Sequence, residues 1–296
     1  MQTILLEPVE YYKKQKGKNI RKILFDLIGK LLGVSTSNIE LINTIINEFH
    51  NASLVIDDIE DNSLLRRNEP CAHLQFGIPL SINSAYFSIF NSLREISQQF
   101  SPACSSKIIE YLTILHEGQG MDIYYTQHKH IPSLEEYEKM MTYKTGYAFI
   151  MNLELLMDKS TNVIMKKKYD TIKNVLLLFS IFFQIRDDYI NLTDPEYWKI
   201  KGFCQDFDEE KISYLITYFY MQHPTINVLE LMKDKSDTGK IKIIHIFHNA
   251  GLFDIVYKKL LILKQQILNE MNIDFIFDQL PIYPFDLKKI ETISRK

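Results

Sequence analysis

Residues 50–67 read His-Asn-Ala-Ser-Leu-Val-Ile-Asp-Asp-Ile-Glu-Asp-Asn-Ser-Leu-Leu-Arg-Arg, four acids and two arginines closing a long apolar-periodic segment. Asp57 and Asp61 are four residues apart, so on a helix they share a face, with Asp58 beside them. Carboxylates crowded on one face repel each other and destabilise the helix unless something cationic sits among them. A hard divalent ion suits such all-oxygen ligands; Mg²⁺ binds through one or two carboxylates while substrate phosphates complete its shell. Arg66 and Arg67, just downstream, are the residue type for phosphate recognition. The stretch therefore has the chemistry of a metal-assisted diphosphate site.

A second stretch answers it. Residues 184–192, Gln-Ile-Arg-Asp-Asp-Tyr-Ile-Asn-Leu, also end a long apolar run, with Asp187 and Asn191 at i,i+4 and Asp188 adjoining. If the two helix ends face each other across a bundle, their acids can hold a small Mg²⁺ cluster. A single acidic cluster is commonly a solvated helix end. Two of them, each after an apolar helix and sharing a chain with a double arginine, favour the functional reading.

Such acids need long helices to carry them, and the composition suits that. Of 296 residues, 46% are hydrophobic and 24% charged, ordinary for a globular chain able to bury a sizeable core. Ten glycines and nine prolines are few. A net charge of −3 gives no hint of a nucleic-acid partner. Cys71, Cys104 and Cys204 are odd in number and widely spaced, so reduced thiols are expected rather than disulfides or a zinc site. The first residues lack the basic region and apolar core of a cleavable signal. The longest apolar run, 175–185, is interrupted by Ser180 and Gln184 and is too short to span a bilayer. A soluble, cytoplasmic protein with no membrane span is expected.

Along the chain, a short helix is expected over 3–13 and another after Gly17 to about Leu32, placing Lys18 and Arg21 at a helix start that attracts anions. Ser35–Asn38 signals the next helix, through Asp61, with Leu41, Ile45, Phe49, Ala52 and Ile56 at helical spacing. His50 lies two turns before Asp57 on a similar face. Ala52 and Ser53 are small; they either leave room for a ligand descending along the helix or allow close helix packing. After a connection over 68–79, helices are expected over 81–99 and 101–125, the latter carrying Gly118-Gln119-Gly120. Two glycines inside a helix cost about 1 kcal/mol each, which points to close packing or substrate approach. Gln127-His128-Lys129-His130 reads as a polar loop of surface residues. A helix is expected from Pro132-Ser133 to about Lys159, carrying Lys144-Thr145-Gly146, and an apolar one follows to Asp188.

Asp57-Asp58-Ile59-Glu60-Asp61-Asn62-Ser63 with Arg66-Arg67 resembles the first aspartate-rich motif of trans-isoprenyl diphosphate synthases, and Phe183-Gln184-Ile185-Arg186-Asp187-Asp188-Tyr189 resembles the second. The likeness is strongest to the animal and fungal type of geranylgeranyl diphosphate synthase, from about Ile4 to about Tyr214 and more loosely beyond. The resemblance implies one all-α domain over 1–296, a bundle of long helices around a deep apolar cavity. It assigns Asp57, Asp61 and Asp187 to about three Mg²⁺ ions that make the allylic diphosphate a better leaving group. Arg66, Lys144, Lys201 and Lys211 would share the diphosphate charge, and Thr145 and Gln184 would stabilise the cation. Asp58 and Asp188 complete the catalytic set. Gln119 would line the site, with Asp122 near the metals. Lys18, Arg21, His50 and Arg67 would take isopentenyl diphosphate. A homodimer or higher homo-oligomer is implied.

Four positions depart from the family pattern. Tyr147 replaces the second glycine after Lys144-Thr145, where a phenol would intrude on the tail cavity or offer a π face to a carbocation. Gln205 replaces an acid, Glu210 a glycine and Leu215 a proline. An acid beside Lys211 would weaken that lysine's field at a diphosphate. Three readings follow. The first is condensation of farnesyl with isopentenyl diphosphate to geranylgeranyl diphosphate, with residues 199–211 closing as a lid against water. The second is a class I terpene synthase cyclising a long prenyl diphosphate, which the departures fit but a full isopentenyl diphosphate pocket does not. The third is a non-catalytic regulatory subunit, against which the intact acid clusters stand.

Overall fold

The computed structural model describes residues 2–15 and 19–291 and is all-α. In chain order the helices are α1 (Gln2–Lys14), α2 (Ile20–Leu31), α3 (Thr36–Glu60), α4 (Ala72–Phe76), α5 (Ile78–Gln99), α6 (Pro102–His128) and α7 (Leu134–Met141). A π-helical turn (Thr142–Gly146) leads into α8 (Tyr147–Lys159), then α9 (Val163–Lys166), α10 (Tyr169–Thr193), α11 (Pro195–Lys201), α12 (Gln205–Asp208) and α13 (Tyr214–Gln222). Next come α14 (Val228–Leu231), α15 (Asp237–Asn249) and α16 (Leu252–Glu270). Among the described residues the one sheet is a two-stranded ribbon, β1 (Leu65–Arg66) against β2 (Glu69–Pro70), Arg66 opposite Glu69.

The chain divides into two compact units. One holds the described residues up to Thr113 with Ala148–Lys173, the other Ile114–Tyr147 with the described residues from Asn174 on. In the first unit α1, α3 and α5 pack together. Ser35 caps α3, its hydroxyl accepting from the Asn38 N–H at 3.3 Å. Ile39, Ile42, Ile45, Ile46, Phe49, Ala52 and Val55 form the buried stripe of α3, each large side chain stabilising by about 1.5–3 kcal/mol. On α5, Ser81, Ser84, Ala85, Ser88 and Ser92 are buried, and their small size lets the helix approach its neighbours closely. Ser88 donates to Glu48 at 2.8 Å, and Lys13 pairs with the same carboxylate, so a polar bridge ties the three helices.

In the second unit α7 and α16 pack on α13, and α15 on α16. From Val175, Leu176, Phe179, Phe182, Ile185 and Tyr189 make the buried face of α10. The single helix expected from Pro132-Ser133 to Lys159 is instead interrupted at Lys144. Ser133 does start it, with a reciprocal cap to Glu136, but the backbone widens to a π turn over Thr142–Gly146. Such insertions mark functional sites in helices.

Candidate active site

Within the first unit, α3 delivers the first motif. Its last turn closes with the Asp61 N–H bonded to the Asp57 carbonyl at 2.9 Å, and the Ser63 N–H returns to the Asp58 carbonyl at 3.0 Å. The ribbon then reverses through Arg67 (φ 54°) and Asn68 (φ 67°), a two-residue turn with both centres left-handed. Holding a non-glycine pair there is strained, and such strain collects at working sites. The reversal sends Arg66 back over α3, where its Nε donates to both oxygens of Asp58 at 3.0 and 3.1 Å and its Nη2 lies 3.4 Å from Asp57. Asp58 is fully buried and also accepts from the Tyr12 hydroxyl. Asp57 is half-buried and Asp61 exposed. The two outer acids thus keep access to solvent while the middle one is committed to holding Arg66.

Arg67 donates to the backbone carbonyls of Tyr12 and Gln15 at 3.2 and 3.1 Å. Close to it are Arg21 and His50. Burial, and then Arg67, push the Arg21 guanidinium down to about 10, and its buried Nε has no hydrogen-bond partner among the described residues. Burial also drives the His50 imidazole well below its ordinary value, helped by Arg21, Arg67 and Arg66. The two guanidinium groups, Arg21 and Arg67, have no ion pair with a carboxylate among the described residues; such an arrangement is costly, and an anion relieves that cost. Lys18, expected to join them, lies outside the described residues.

Within the second unit, α10 delivers the second motif. Asp187 accepts from the Tyr197 hydroxyl at 2.8 Å. Burial opposes its charge, but Lys201, Lys211 and that hydroxyl outweigh burial and hold the carboxyl below its usual range. Lys201 stands over the Tyr197 ring at 5.5 Å. Asp188 is fully buried and accepts from the Tyr137 hydroxyl (2.9 Å), Gln184 Nε2 (3.2 Å), Lys211 Nζ (3.2 Å) and the Tyr214 N–H (2.9 Å). Thr145, on the π turn, donates to Gln184 Oε1 at 3.5 Å. Lys144 Nζ is 2.5 Å from Asp122 Oδ2, while Asp122 Oδ1 is buried without a partner among the described residues. Gln119, half-buried on α6, follows Gly118, which lies against the backbone of that π turn.

Several expectations change. Ala52 is fully buried in a cluster with Val9, Tyr12, Val55, Ala72 and Ala85, the close packing that is one of the two readings of its small size. Ser53 is exposed, its hydroxyl turned onto the His50 carbonyl at 2.8 Å. Tyr147 is half-buried and meets Tyr143 edge-on at 5.8 Å. Glu210 does not set its charge against Lys211. It pairs with Lys129 at 2.5 Å and Lys235 at 3.5 Å, and these lysines keep its carboxyl low. Glu210 has φ 51°, a conformation that explains a glycine at this place in the pattern. Lys129, exposed just after α6, is its partner. Leu215 falls in the first turn of α13 after the Ser213 cap, where proline is equally at home. Residues 199–211 are not a loose loop: α11 and α12 occupy them, and buried Lys240 holds Asp208 at 2.6 Å and the Phe203 carbonyl at 2.9 Å. Asn191 faces Asp206, bonding its carboxylate at 2.9 Å, rather than joining Asp187.

Sequence reasoning missed Tyr12, Tyr137, Tyr197 and Asp206, which hold the motif residues from elsewhere in the chain. It also missed Arg186, which donates to the Pro281 carbonyl at 2.9 and 3.2 Å and ties the tail to α10. A tyrosine's hydroxyl partner leaves no mark on its own neighbours in sequence.

The donor set fits a hard cation. Among the described residues no three His, Cys, Asp or Glu side chains form a ready-made metal cage, and Mg²⁺ does not need one, since one or two carboxylates suffice when substrate phosphates and water complete the shell. Within the first unit the outer acids Asp57 and Asp61, and within the second the ionised Asp187 and the Asp122 oxygen without a partner among the described residues, are each of the right chemistry. Among the described residues no helix is long and apolar enough to cross a membrane.

An all-α chain bearing two aspartate-rich helix ends defines a class, and comparison with known proteins gives that class its name. The polyprenyl synthetase family model matches residues 2–247, so the chain belongs to this family, whose members generally use Mg²⁺. It is 35% identical over 274 residues to a geranylgeranyl pyrophosphate synthase of Dictyostelium discoideum, covering 90% of this chain and 88% of that protein. It is 38% identical over 238 residues to the bifunctional sesterterpene synthase astC of Talaromyces wortmannii, covering 80% of this chain and 31% of that protein. The preasperterpenoid A synthase PvPS of Talaromyces verruculosus is 35% identical over 277 residues, 92% of this chain and 35% of its own length. The chain thus spans about a third of the length of these two fungal synthases.

Proposed function

We propose that this protein is a trans-prenyltransferase that condenses farnesyl diphosphate with isopentenyl diphosphate to geranylgeranyl diphosphate. The observation that carries this reading is the pair of guanidinium groups Arg21 and Arg67 with the neutral His50 imidazole between their fields, neither arginine ion-paired to an acid among the described residues, in the unit that also carries the first aspartate motif. An enzyme that only ionised and cyclised one substrate would have no use for this second anion site. Family membership and the Dictyostelium relative's name support the same reading. We take the whole chain, 1–296, as one isoprenoid synthase domain, acting in the cytoplasm as a homodimer or higher homo-oligomer.

Asp57, Asp61 and Asp187 would hold Mg²⁺, about three ions, which when bound neutralise the allylic diphosphate and make it a better leaving group. The chain's own residues then do the following. Arg66, Lys144, Lys201 and Lys211 share the diphosphate charge as the C–O bond breaks. Gln184 donates its amide N–H to Asp188 and accepts from the Thr145 hydroxyl, and the oxygens of these two side chains would stabilise developing positive charge. Arg21, His50, Arg67 and Lys18 hold isopentenyl diphosphate so that its double bond meets the allylic carbon. The released diphosphate takes the final proton. Residues 199–211 exclude water, which would otherwise trap the cation.

A terpene synthase reading rests on Tyr147 in place of glycine, since its ring can face a cation; the arginine pair weighs against it. Replacing Arg21 separates the two. Arg21→Met is expected to raise the KM for isopentenyl diphosphate at least about tenfold and leave that for farnesyl diphosphate within about twofold. An unchanged KM for isopentenyl diphosphate would remove this basis for the reading.

A further inference from the structure

The two motifs share an arrangement that the proposed reaction does not by itself require. In each, the first aspartate stays partly accessible while the second is fully buried: Asp58 and Asp188 both have no exposed surface. In each, the buried carboxylate accepts from a tyrosine hydroxyl that is itself fully buried, Tyr12 for Asp58 and Tyr137 for Asp188. In each, the same carboxylate then grips one cation, Arg66 in the first unit and Lys211 in the second. Tyr12 reaches Asp58 from α1 and is oriented in turn by the Ala72 N–H, which donates to its oxygen at 3.0 Å. Tyr137 reaches Asp188 from α7.

A buried carboxylate without donors would shed its charge or drag its cation inward. Burial, followed by the adjoining carboxylate, raises both phenols far above their ordinary value, so each hydroxyl keeps its proton and acts as a donor. Each tyrosine thereby fills an acceptor site on Oδ2 of its carboxylate, while Lys211 is held on Oδ1 of Asp188 and Arg66 across both oxygens of Asp58. For Arg66 the outcome is visible: both Nε and Nη2 are fixed on Asp58, and Nη2 also lies 3.4 Å from Asp57.

We propose that Tyr12 and Tyr137 are positioning residues that act through Asp58 and Asp188 to hold Arg66 and Lys211 ready for a diphosphate. The inference rests on the diphosphate reading of the two motifs, though not on which product is made. The two need not be equal. Asp188 keeps the Tyr214 N–H and Gln184 when Tyr137 loses its hydroxyl, whereas among the described residues Asp58 keeps, besides Arg66, only the weak thiol donor of Cys71.

Titration with inorganic diphosphate in the presence of Mg²⁺ tests this without any need for turnover. Tyr12→Phe should weaken binding about tenfold and Tyr137→Phe about threefold in the wild-type background. In an Arg66→Gln background Tyr12→Phe should cost less than about twofold further, and Tyr137→Phe likewise in Lys211→Gln, because the cation each tyrosine serves is gone. Equal losses in both backgrounds, or no loss in the wild-type background, would overturn the proposal. Wild-type protein that binds diphosphate but elongates nothing overturns the prenyltransferase reading alone, whereas one that binds no diphosphate overturns both.

Discussion

A β-carbon on Gly118 would stand 2.2 Å from the backbone nitrogen of Lys144 and 2.6 Å from the carbonyl carbon of Tyr143. Helix α6 therefore meets the π turn backbone to backbone, and this contact sets where Lys144 and Thr145 sit. Gly120, two residues on, has nothing within 4 Å of the same position. The two glycines in one short stretch have different causes. Gly118→Ala should destabilise the protein by about 2 kcal/mol or more through overpacking against backbone that cannot yield. Gly120→Ala should be neutral or stabilise by up to about 1 kcal/mol, the helix-propensity difference. Thermal unfolding of the two variants checks this directly.

The acids of the first motif should separate by assay. Asp58→Asn leaves Arg66 without its buried partner, and breaking a buried pair costs roughly 3–5 kcal/mol, so the variant should unfold at markedly lower temperature. Asp57→Asn and Asp61→Asn remove more accessible carboxylates. They should leave the unfolding temperature within a few degrees and raise the Mg²⁺ concentration needed for half-maximal diphosphate binding. Calorimetry and a Mg²⁺ titration on the same three proteins distinguish the roles.

His50 gives a pH dependence. Its folded-state value lies well below the ordinary one, so as pH falls the unfolded chain takes up the proton first. The stability contributed by neutral His50 is present above about pH 6.5 and is lost as pH drops through that value. Wild-type protein should therefore lose more thermal stability between about pH 7.5 and 5.5 than His50→Gln. A bound diphosphate adds negative charge beside the ring and raises its affinity for a proton. Calorimetric binding of isopentenyl diphosphate near pH 6.5, in buffers of different ionisation enthalpy, should show proton uptake in the wild type and much less in His50→Gln.

At Glu210 two small terms compete. Its left-handed backbone costs a non-glycine residue about 1–2 kcal/mol, and its pairs with Lys129 and Lys235, both partly exposed, contribute about 0–1 kcal/mol each. Glu210→Gly removes both terms and should be close to neutral. Glu210→Ala removes the pairs and keeps the strain, so it should be the less stable of the two by about 1 kcal/mol. Chemical denaturation of both variants measures the difference.

What was legible in the sequence was whatever repeats at short range. The helical recurrence of Leu41, Ile45, Phe49, Ala52 and Ile56 marks α3, and Ser35 its start, because periodicity and capping are local; Leu41 and Ile56 prove only half-buried beside the stripe. The two acidic helix ends and the double arginine were legible for the same reason. The π turn was not: Lys144-Thr145-Gly146 reads as ordinary helix, and the Gly118 backbone packed against it belongs to a different helix. Nor was the partner of Asp58, since Tyr12 lies 46 residues away and nothing near either residue announces the bond. Ala52 shows the limit from the other side. A small residue on a helix face looks alike whether it faces a ligand or a neighbouring helix, and only the packing of α1 and α5 decides.

Product analysis tests the central claim most directly. Purified protein with Mg²⁺ is given farnesyl and isopentenyl diphosphates in one reaction and geranylgeranyl diphosphate alone in another, and both are read by mass spectrometry. The account predicts a twenty-carbon diphosphate from the first and no new product from the second. A hydrocarbon from the second with no elongation in the first would contradict it and make the protein a diterpene synthase; no product in either would point to a regulatory subunit.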